Sequence, residues 1–254
     1  MKNLFTITSI LFAGTLAANA VDKPRLGYYT YEGGYFTTEV FSGGRLRLYR
    51  GTYYNAEVLN AKGHALNLSF VGSNVYGLTF VGDSGFDNYF RLEKATLGGN
   101  VKLANLKSAG ISSSLVSGTN ISIDNSSLSL YDLTWDISDK NLDGTALVNV
   151  TGTGSAVQMM DALTLNFATE AALQSMVSKS LNLISGDASV YGNFDGLKIT
   201  VAGAEVGGGY WAEQSSDGKT ISIFSSVPEP SAFGLLAGLG ALALVASRRR
   251  RSRK

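Results

Sequence analysis

The chain has 254 residues, a formal net charge of +1, 30 glycines, three prolines and no cysteine. The lack of cysteine excludes disulfides, thiolate metal ligands and a cysteine nucleophile. Residues 21–226 contain 14 basic and 19 acidic residues, a net charge of −5, so neither nucleic acid nor an anionic membrane is expected as a partner of this part. Many glycines and few prolines indicate short strands joined by turns.

Residues 1–20 have the pattern of a secretory signal peptide. A basic start at Lys2 is followed by an apolar stretch over residues 4–16, and Ala18 and Ala20 flank Asn19 in the small-x-small pattern that precedes cleavage. The pattern predicts a signal-peptide helix, a secretion machinery as partner and Val21 as the mature N-terminus. The alternative is a buried first helix of the folded protein.

Residues 21–94 are predicted to form a β region rich in tyrosine and glycine. Leu46, Arg47 and Leu48 alternate as in a half-buried strand. The tyrosines either cover a small sheet or form an exposed platform that stacks on sugar rings. Seven of them fall within residues 27–58: Tyr28, Tyr29, Tyr31, Tyr35, Tyr49, Tyr53 and Tyr54.

A short similarity between residues 68–73 and 78–83 recurs at a spacing of ten residues. Each copy has the form of a brief strand followed by a glycine, with Gly72 in the first copy and Gly82 in the second. The spacing predicts consecutive strands or successive turns of a solenoid.

Residues 95–226 are predicted to form a second, strand-repeat β region. Apolar residues alternate with polar ones in a series of short segments, and a phase shift between Leu130 and Leu133 predicts a bulge or a turn. Residues 169–179 are the exception, because Thr169 suits a helix N-cap, Glu170 suits the first turn, and one apolar face follows. The pattern predicts one short helix in this part of the chain.

These features predict that residues 21–226, the body of the protein, have an all-β fold. Its texture resembles the strand-repeat regions of bacterial surface proteins, many of which are right-handed parallel β-helices. The resemblance implies a solenoid-like parallel β-helix, and an antiparallel β-sandwich is the alternative.

The sequence offers no complete catalytic or metal-binding constellation. His64 is the single histidine and has no neighbouring nucleophile motif, so we predict neither an enzyme nor a cofactor. Several aspartates lie close enough in sequence to bind Ca²⁺, although neither group matches a known calcium loop, and turn aspartates are the simpler interpretation. These residues are Asp83, Asp87, Asp132, Asp136, Asp139 and Asp143.

Residues 227–254 have the order of a sorting signal. Pro228 and Pro230 hold Glu229 in an extended, displayed conformation. Residues 231–246 carry no charge and, as a helix, would measure about 24 Å, shorter than a ~30 Å hydrocarbon core. The basic residues that follow are predicted to hold the end of this transmembrane helix in the cytoplasm: Arg248, Arg249, Arg250, Arg251, Arg253 and Lys254.

This tail resembles the PEP-CTERM sorting signal of Gram-negative bacteria. The resemblance implies that an exosortase recognises Pro228, Glu229 and Pro230, and that the apolar helix anchors the chain in the membrane only until processing. Similar tails are also found as the C-terminal domain of ice-binding proteins. An ice-binding face would need repeated Thr-x-Thr ranks, and Thr151-Gly152-Thr153 stands alone in residues 21–226.

The two terminal signals together predict a protein of the cell envelope or cell surface. We expect a structural or adhesive role in an extracellular matrix or biofilm. The alternative is a carbohydrate-binding module for exopolysaccharide or host glycans, and a carbohydrate-active enzyme is less favoured.

Overall fold

A computed structural model describes residues 28–32, 38–41, 44–60, 65–177, 179–207 and 209–226. The predicted signal peptide with Ala18 and Ala20, and the whole predicted sorting signal, lie outside these residues. Within the described part of the chain, no helix is long and apolar enough to cross a membrane.

Strands make up most of the described residues, so the all-β prediction is confirmed. The helices are α1 Asp139–Leu142 and α2 Glu170–Met176. The strands are β1 Tyr28–Glu32, β2 Thr38–Phe41, β3 Gly44–Tyr49, β4 Thr52–Asn60, β5 Leu66–Val71, β6 Asn74–Val81, β7 Tyr89–Glu93, β8 Thr96–Ala104, β9 Ser108–Ser117, β10 Ile121–Asp124, β11 Ser127–Ile137, β12 Val148–Thr151, β13 Ala156–Phe167, β14 Ser180–Asn182, β15 Ile184–Ser185, β16 Ser189–Tyr191, β17 Gly196–Val201, β18 Ala204–Glu205, β19 Tyr210–Gln214 and β20 Thr220–Ser225.

Seventeen strands belong to one curled sheet. The early strands pair in parallel with the strand two places further along the chain, so β3 pairs with β5 and β4 pairs with β6. In both pairs the partners are 22 residues apart, as in Gly44 with Leu66 and Thr52 with Asn74. Strand pairs also cross the predicted region boundary at residue 94, since β6 pairs with β8 and β7 with β9.

The parallel pairs form three series. The first series runs through β1, β3, β5, β7, the first parts of β9, β11 and β13, and β16. The second runs through the first parts of β4, β6 and β8, the last parts of β9, β11 and β13, and β17. The third runs through β2, the last parts of β4, β6 and β8, and then β10, β12 and β15.

Left-handed backbone residues mark the corner between the first and second series. Their φ angles lie between 45° and 60°, and the pairing places them at matching positions of successive strands. The predicted bulge between Leu130 and Leu133 is confirmed, because the register of β11 shifts there and Asp132 has a φ of 49°. The corner residues are Arg50, Gly72, Lys94, Ser113, Asp132 and Asp161.

The core consists of inward-facing residues stacked in rows along the three series. Apolar alternation in each strand sends one set of side chains inward, and the pairing register places equivalent positions against each other. Burial of each such side chain contributes about 1.5–3 kcal/mol. One row of the second series is fully buried and contains Val75, Leu97, Val116, Trp135 and Leu165.

The similarity at a spacing of ten residues does correspond to consecutive strands, β5 and β6. These strands belong to different series, whereas the strands that stack directly are 22 residues apart. The ten-residue spacing is therefore the separation in sequence between two strands of the same 22-residue turn.

The C-terminal end departs from parallel pairing. Strands β14, β20 and β19 form a separate antiparallel sheet, and α2 follows the long strand β13. The helix predicted over 169–179 is confirmed as Glu170–Met176, with the Thr169 side chain accepting a 3.1 Å hydrogen bond from the Ala172 backbone N–H. The prediction of only one helix is wrong, because α1 is a second helix whose four residues are too few to show a helical period.

Candidate functional site

A groove of about 750 Å³ lies on the outward face of the first series. We call it the arginine–tyrosine groove. Its lining comes from β3, β5, β7, β9, β11 and β13. The lining includes Arg45, Arg47, Asn67, Ser69, Tyr89, Arg91, Ser108, Gly110, Tyr131, Asp132 and Asp161.

Strand alternation and register produce this groove. In β3 the leucines at 46 and 48 are buried, so Arg45 and Arg47 face outward. The register then continues each arginine into an outward row. One row contains Arg45, Asn67, Tyr89 and Ser108, and the next contains Arg47, Ser69, Arg91 and Gly110.

Positive charge is concentrated at the β3–β7 end of the groove. Residues 21–226 contain five arginines, and Arg45, Arg47 and Arg91 all line this groove. Arg47 donates a 3.2 Å hydrogen bond from Nη1 to the Tyr49 hydroxyl, and Arg91 Nη2 lies 2.9 Å from Glu93 Oε2. The Arg91 side chain is 61% exposed, so its ion pair with Glu93 is open to competition from water or another anion.

The other end of the groove is acidic. Asp132 and Asp161 are exposed corner residues at matching positions of β11 and β13. The Ser113 hydroxyl donates to Asp132 Oδ2 at 3.4 Å. The groove is therefore charged at both ends, with arginines toward β3 and carboxylates toward β13.

Asn67, one of the lining residues of the groove, has an enclosed side-chain oxygen. Asn67 Oδ1 is buried and accepts no hydrogen bond from the residues that the structure describes. An enclosed amide oxygen without a donor is costly.

Two described tyrosines of the tyrosine-rich block, Tyr53 and Tyr54, lie on opposite faces of β4. Tyr53 is only 2% exposed and packs edge-on against Phe70, with ring centroids 5.3 Å apart. Tyr54 points to the opposite side, is 42% exposed and stacks on Tyr76 at 5.5 Å. Alternation along β4 thus places Tyr53 in the core and Tyr54 at the surface. Tyr35 and the side chains of Tyr28, Tyr29 and Tyr31 lie outside the described part of the chain.

The aspartates considered for Ca²⁺ have separate structural tasks. Asp83 Oδ1 accepts a 3.1 Å hydrogen bond from the Gly85 N–H. Asp87 Oδ2 lies 2.5 Å from Lys107 Nζ, and this hydrogen bond together with the charge of Asp87 raises the pKa of Lys107. Across the described ranges, no group of three or more histidine, aspartate or glutamate residues is arranged to hold a metal ion.

The second aspartate cluster is also dispersed by the fold. Asp132 lines the groove, whereas Asp136 lies on the second series and accepts hydrogen bonds from Ser117 and Asn166. Asp139 is in the first turn of α1, and Asp143 is its C-cap. His64 lies outside the described residues.

Sequence reasoning missed the arginine–tyrosine groove. Arg47 and Arg91 are 44 positions apart, and only the pairing of β3 with β5 and of β5 with β7 brings them into one row. A search for outward residues at a period of 22 would have found them. The alternation of Leu46, Arg47 and Leu48 was the local part of that signal.

The predicted sorting residues Pro228, Glu229 and Pro230, and the basic cluster after them, follow the last described residue, Ser226. Comparison with known families matches residues 226–251 to the PEP-CTERM protein-sorting motif. No curated protein and no solved structure matches the chain. The motif implies export to the cell envelope or surface and processing by an exosortase. The prediction made from the tail is confirmed: residues 226–251 of this chain are a PEP-CTERM protein-sorting motif.

Proposed function

We propose that this protein is a non-catalytic structural or adhesive component of the cell surface or of an extracellular matrix. The observation that carries the proposal is the sorting motif over residues 226–251, which begins immediately after β20. Before processing, the apolar helix of the tail anchors the chain in the membrane, and the basic cluster keeps the far end in the cytoplasm. The strand-rich body remains outside.

We further propose that the body is a right-handed parallel β-solenoid. Three series of parallel strands with inward apolar rows support this architecture, and parallel strands linked by a crossover are almost always right-handed. A sandwich would join consecutive strands in antiparallel pairs. In the described residues such pairs are limited to β17 with β18 and to the sheet of β14, β20 and β19.

Exposure of the groove carboxylates supports a role without catalysis. A carboxylic acid that protonates a glycosidic oxygen usually sits in apolar surroundings, whereas Asp132 and Asp161 are both exposed. We expect no new reducing ends when the purified protein is incubated with polysaccharides. Turnover that disappears in Asp132→Asn and Asp161→Asn would show that the groove is an active site.

Surface sorting is tested by fractionation of the native host and by intact-mass analysis. The wild-type protein should be found in the envelope or outside the cell, with both terminal signals removed. Glu229→Gln combined with Pro228→Ala should leave an unprocessed tail and a membrane-bound protein. Glu213→Gln, which changes an exposed glutamate of β19, is the matched control, and wild-type protein recovered from the cytoplasm would refute the proposal.

A carbohydrate-binding module is the second candidate, and the Tyr54–Tyr76 stack favours it. Both rings are more than one-third exposed, and exposed aromatic rings present an apolar face to sugars. Tyr54→Ala and Tyr76→Ala should each lower retention on a glycan array. Phe86→Ala, which removes an equally exposed ring elsewhere, should not, and equal losses in all three variants would exclude a specific role for the stack.

A further inference from the structure

We propose that the arginine–tyrosine groove binds an acidic polysaccharide whose chain runs along the stacking direction of the strands. Arg47 and Arg91 hold carboxylates of the ligand, and Arg45 supports them from the neighbouring row. The proposal deepens the adhesive role proposed above and depends on the surface location of the body.

Charge complementarity selects an acidic ligand at the β3–β7 end of the groove, away from Asp132 and Asp161. The body is acidic overall, yet three of its five arginines share this groove. Arginine presents a planar fork of donors that matches a carboxylate in bidentate geometry. The partner of Arg91 is the neighbouring Glu93, and a ligand carboxylate can replace it at little cost because exposed ion pairs are weak.

Strand spacing sets the direction and the repeat of the ligand. Arg47 and Arg91 lie in one outward row with Ser69 between them. They are therefore two strand spacings apart, about 9.5 Å along the stack. An extended chain of pyranose sugars advances by close to one strand spacing per sugar, so carboxylates on alternate sugars meet both arginines.

The remaining lining favours a sugar over an acidic peptide. Tyr89 contributes an exposed ring, and Ser69 and Ser108 contribute hydroxyls. The strands of this face are already paired with their neighbours, so a peptide cannot join them as an added strand.

Gly110 keeps the path open beyond Arg91. It continues the row of Arg47 and Arg91, and a Cβ added there would lie 3.7 Å from the ring of Tyr131. The position tolerates a side chain sterically, so a long one would occupy the groove without disturbing the fold. Gly110→Gln is therefore a blocking variant that leaves all charges in place.

The test measures binding of the purified full chain by isothermal titration calorimetry. The probes are hyaluronan, which carries a carboxylate on alternate sugars, neutral dextran, and poly-glutamate. We expect binding to hyaluronan that weakens with salt, and about a tenfold loss of affinity in Arg91→Gln and in Arg47→Gln, as for one charge-assisted hydrogen bond. Gly110→Gln should also weaken binding, whereas Lys102→Gln, which removes a charge from the third series, should not.

Three results would overturn the proposal. If dextran binds with the same affinity as hyaluronan, charge does not determine binding. If poly-glutamate binds more tightly than hyaluronan, the ligand of the groove is an acidic protein segment. Unchanged affinity in Arg91→Gln, an exposed position where folding is not at risk, would place the ligand elsewhere. Fractionation of the cells is independent of these measurements, so a failure of sorting and a failure of groove binding give different results.

Discussion

Single residues in the left-handed region allow the chain to pass from one strand series to the next. Gly186 follows β15 with a φ of 88°, and a Cβ added there would overlap the carbonyl oxygen of Val150. Gly118, between β9 and β10, has a φ of 58° with nothing within 4 Å of an added Cβ. A side chain at Gly118 would therefore meet backbone strain alone, whereas one at Gly186 would meet both backbone strain and steric overlap.

Alanine substitutions at these glycines should therefore differ in cost. Gly118→Ala should lower the free energy of unfolding by about 1 kcal/mol, through backbone strain alone. Gly186→Ala should lower it by about 3 kcal/mol or more, because overlap with Val150 adds to the strain. Urea denaturation of both variants provides the measurement, and equal losses would contradict this explanation.

A second residue-scale prediction concerns a polar ladder on the second series. Asn166 donates from Nδ2 to Asp136 Oδ1 at 2.7 Å, and its Oδ1 accepts hydrogen bonds from the Thr200 hydroxyl at 2.8 Å and the Gly203 N–H at 2.9 Å. Asn166→Ala should lower the free energy of unfolding by about 2–3 kcal/mol, since Thr200 is nearly buried and loses its partner.

The control for this ladder is Gln158→Ala. Gln158 is an exposed amide on the same strand, β13, so its removal should change the free energy of unfolding by less than about 0.5 kcal/mol. Similar losses in the two variants would show that the ladder contributes no more than an ordinary surface residue.

At the scale of elements, the turn of the β19–β20 hairpin contains an aspartate whose pKa is lowered, Asp217. The Ser215 hydroxyl and the Lys219 N–H both donate hydrogen bonds to Asp217 Oδ1. These bonds lower the pKa of the carboxyl, and the bond from Ser215 has the larger effect. The folded-state pKa is below that of the unfolded chain. Its stabilising contribution is therefore complete above the unfolded pKa and is lost as the pH falls through the folded value.

Ser215→Ala should reduce this acid-sensitive part of the stability. The difference in melting temperature between wild type and variant should be present at pH 7 and should shrink below the unfolded pKa of an aspartate, about 4. Ser216→Ala, at the adjacent exposed serine, is the matched control. A melting difference that persists unchanged in acid would mean that Asp217 is not the group involved.

The sequence was informative about elements wherever a local pattern was complete. The cap at Thr169 and the phase shift after Leu130 predicted α2 and the bulge at Asp132, because each depends on only a few neighbouring residues. The 22-residue pairing and the groove were not predicted. Both arise from contacts between distant strands, and the polar positions that form the groove vary in residue type from turn to turn, as in Arg47, Ser69 and Arg91.

At the scale of the whole molecule, the C-terminal tail is expected to stop translocation of the chain across the membrane. The apolar stretch over residues 231–246 is short, so the basic cluster is expected to supply the stop. Replacing Arg248, Arg249, Arg250 and Arg251 with glutamine should release unprocessed protein into the medium, as measured by fractionation and intact mass. Replacing four lysines of the body with glutamine is the charge-matched control, and normal processing of the tail variant would show that the arginines are dispensable.

The constant offset of 22 residues between β3, β5 and β7 fixes how the body can change in length. The eight strands of the first series stack to about 34 Å, and each turn contributes one increment of about 4.8 Å. Deleting residues 66–87 removes one whole turn and places Leu46 against Phe90 instead of Leu68, so the inward row stays apolar. Deleting residues 66–86 instead would shift the register by one residue, so the inward side chains of the following strands would face outward. The length of the stacked strands can therefore increase or decrease only by whole turns.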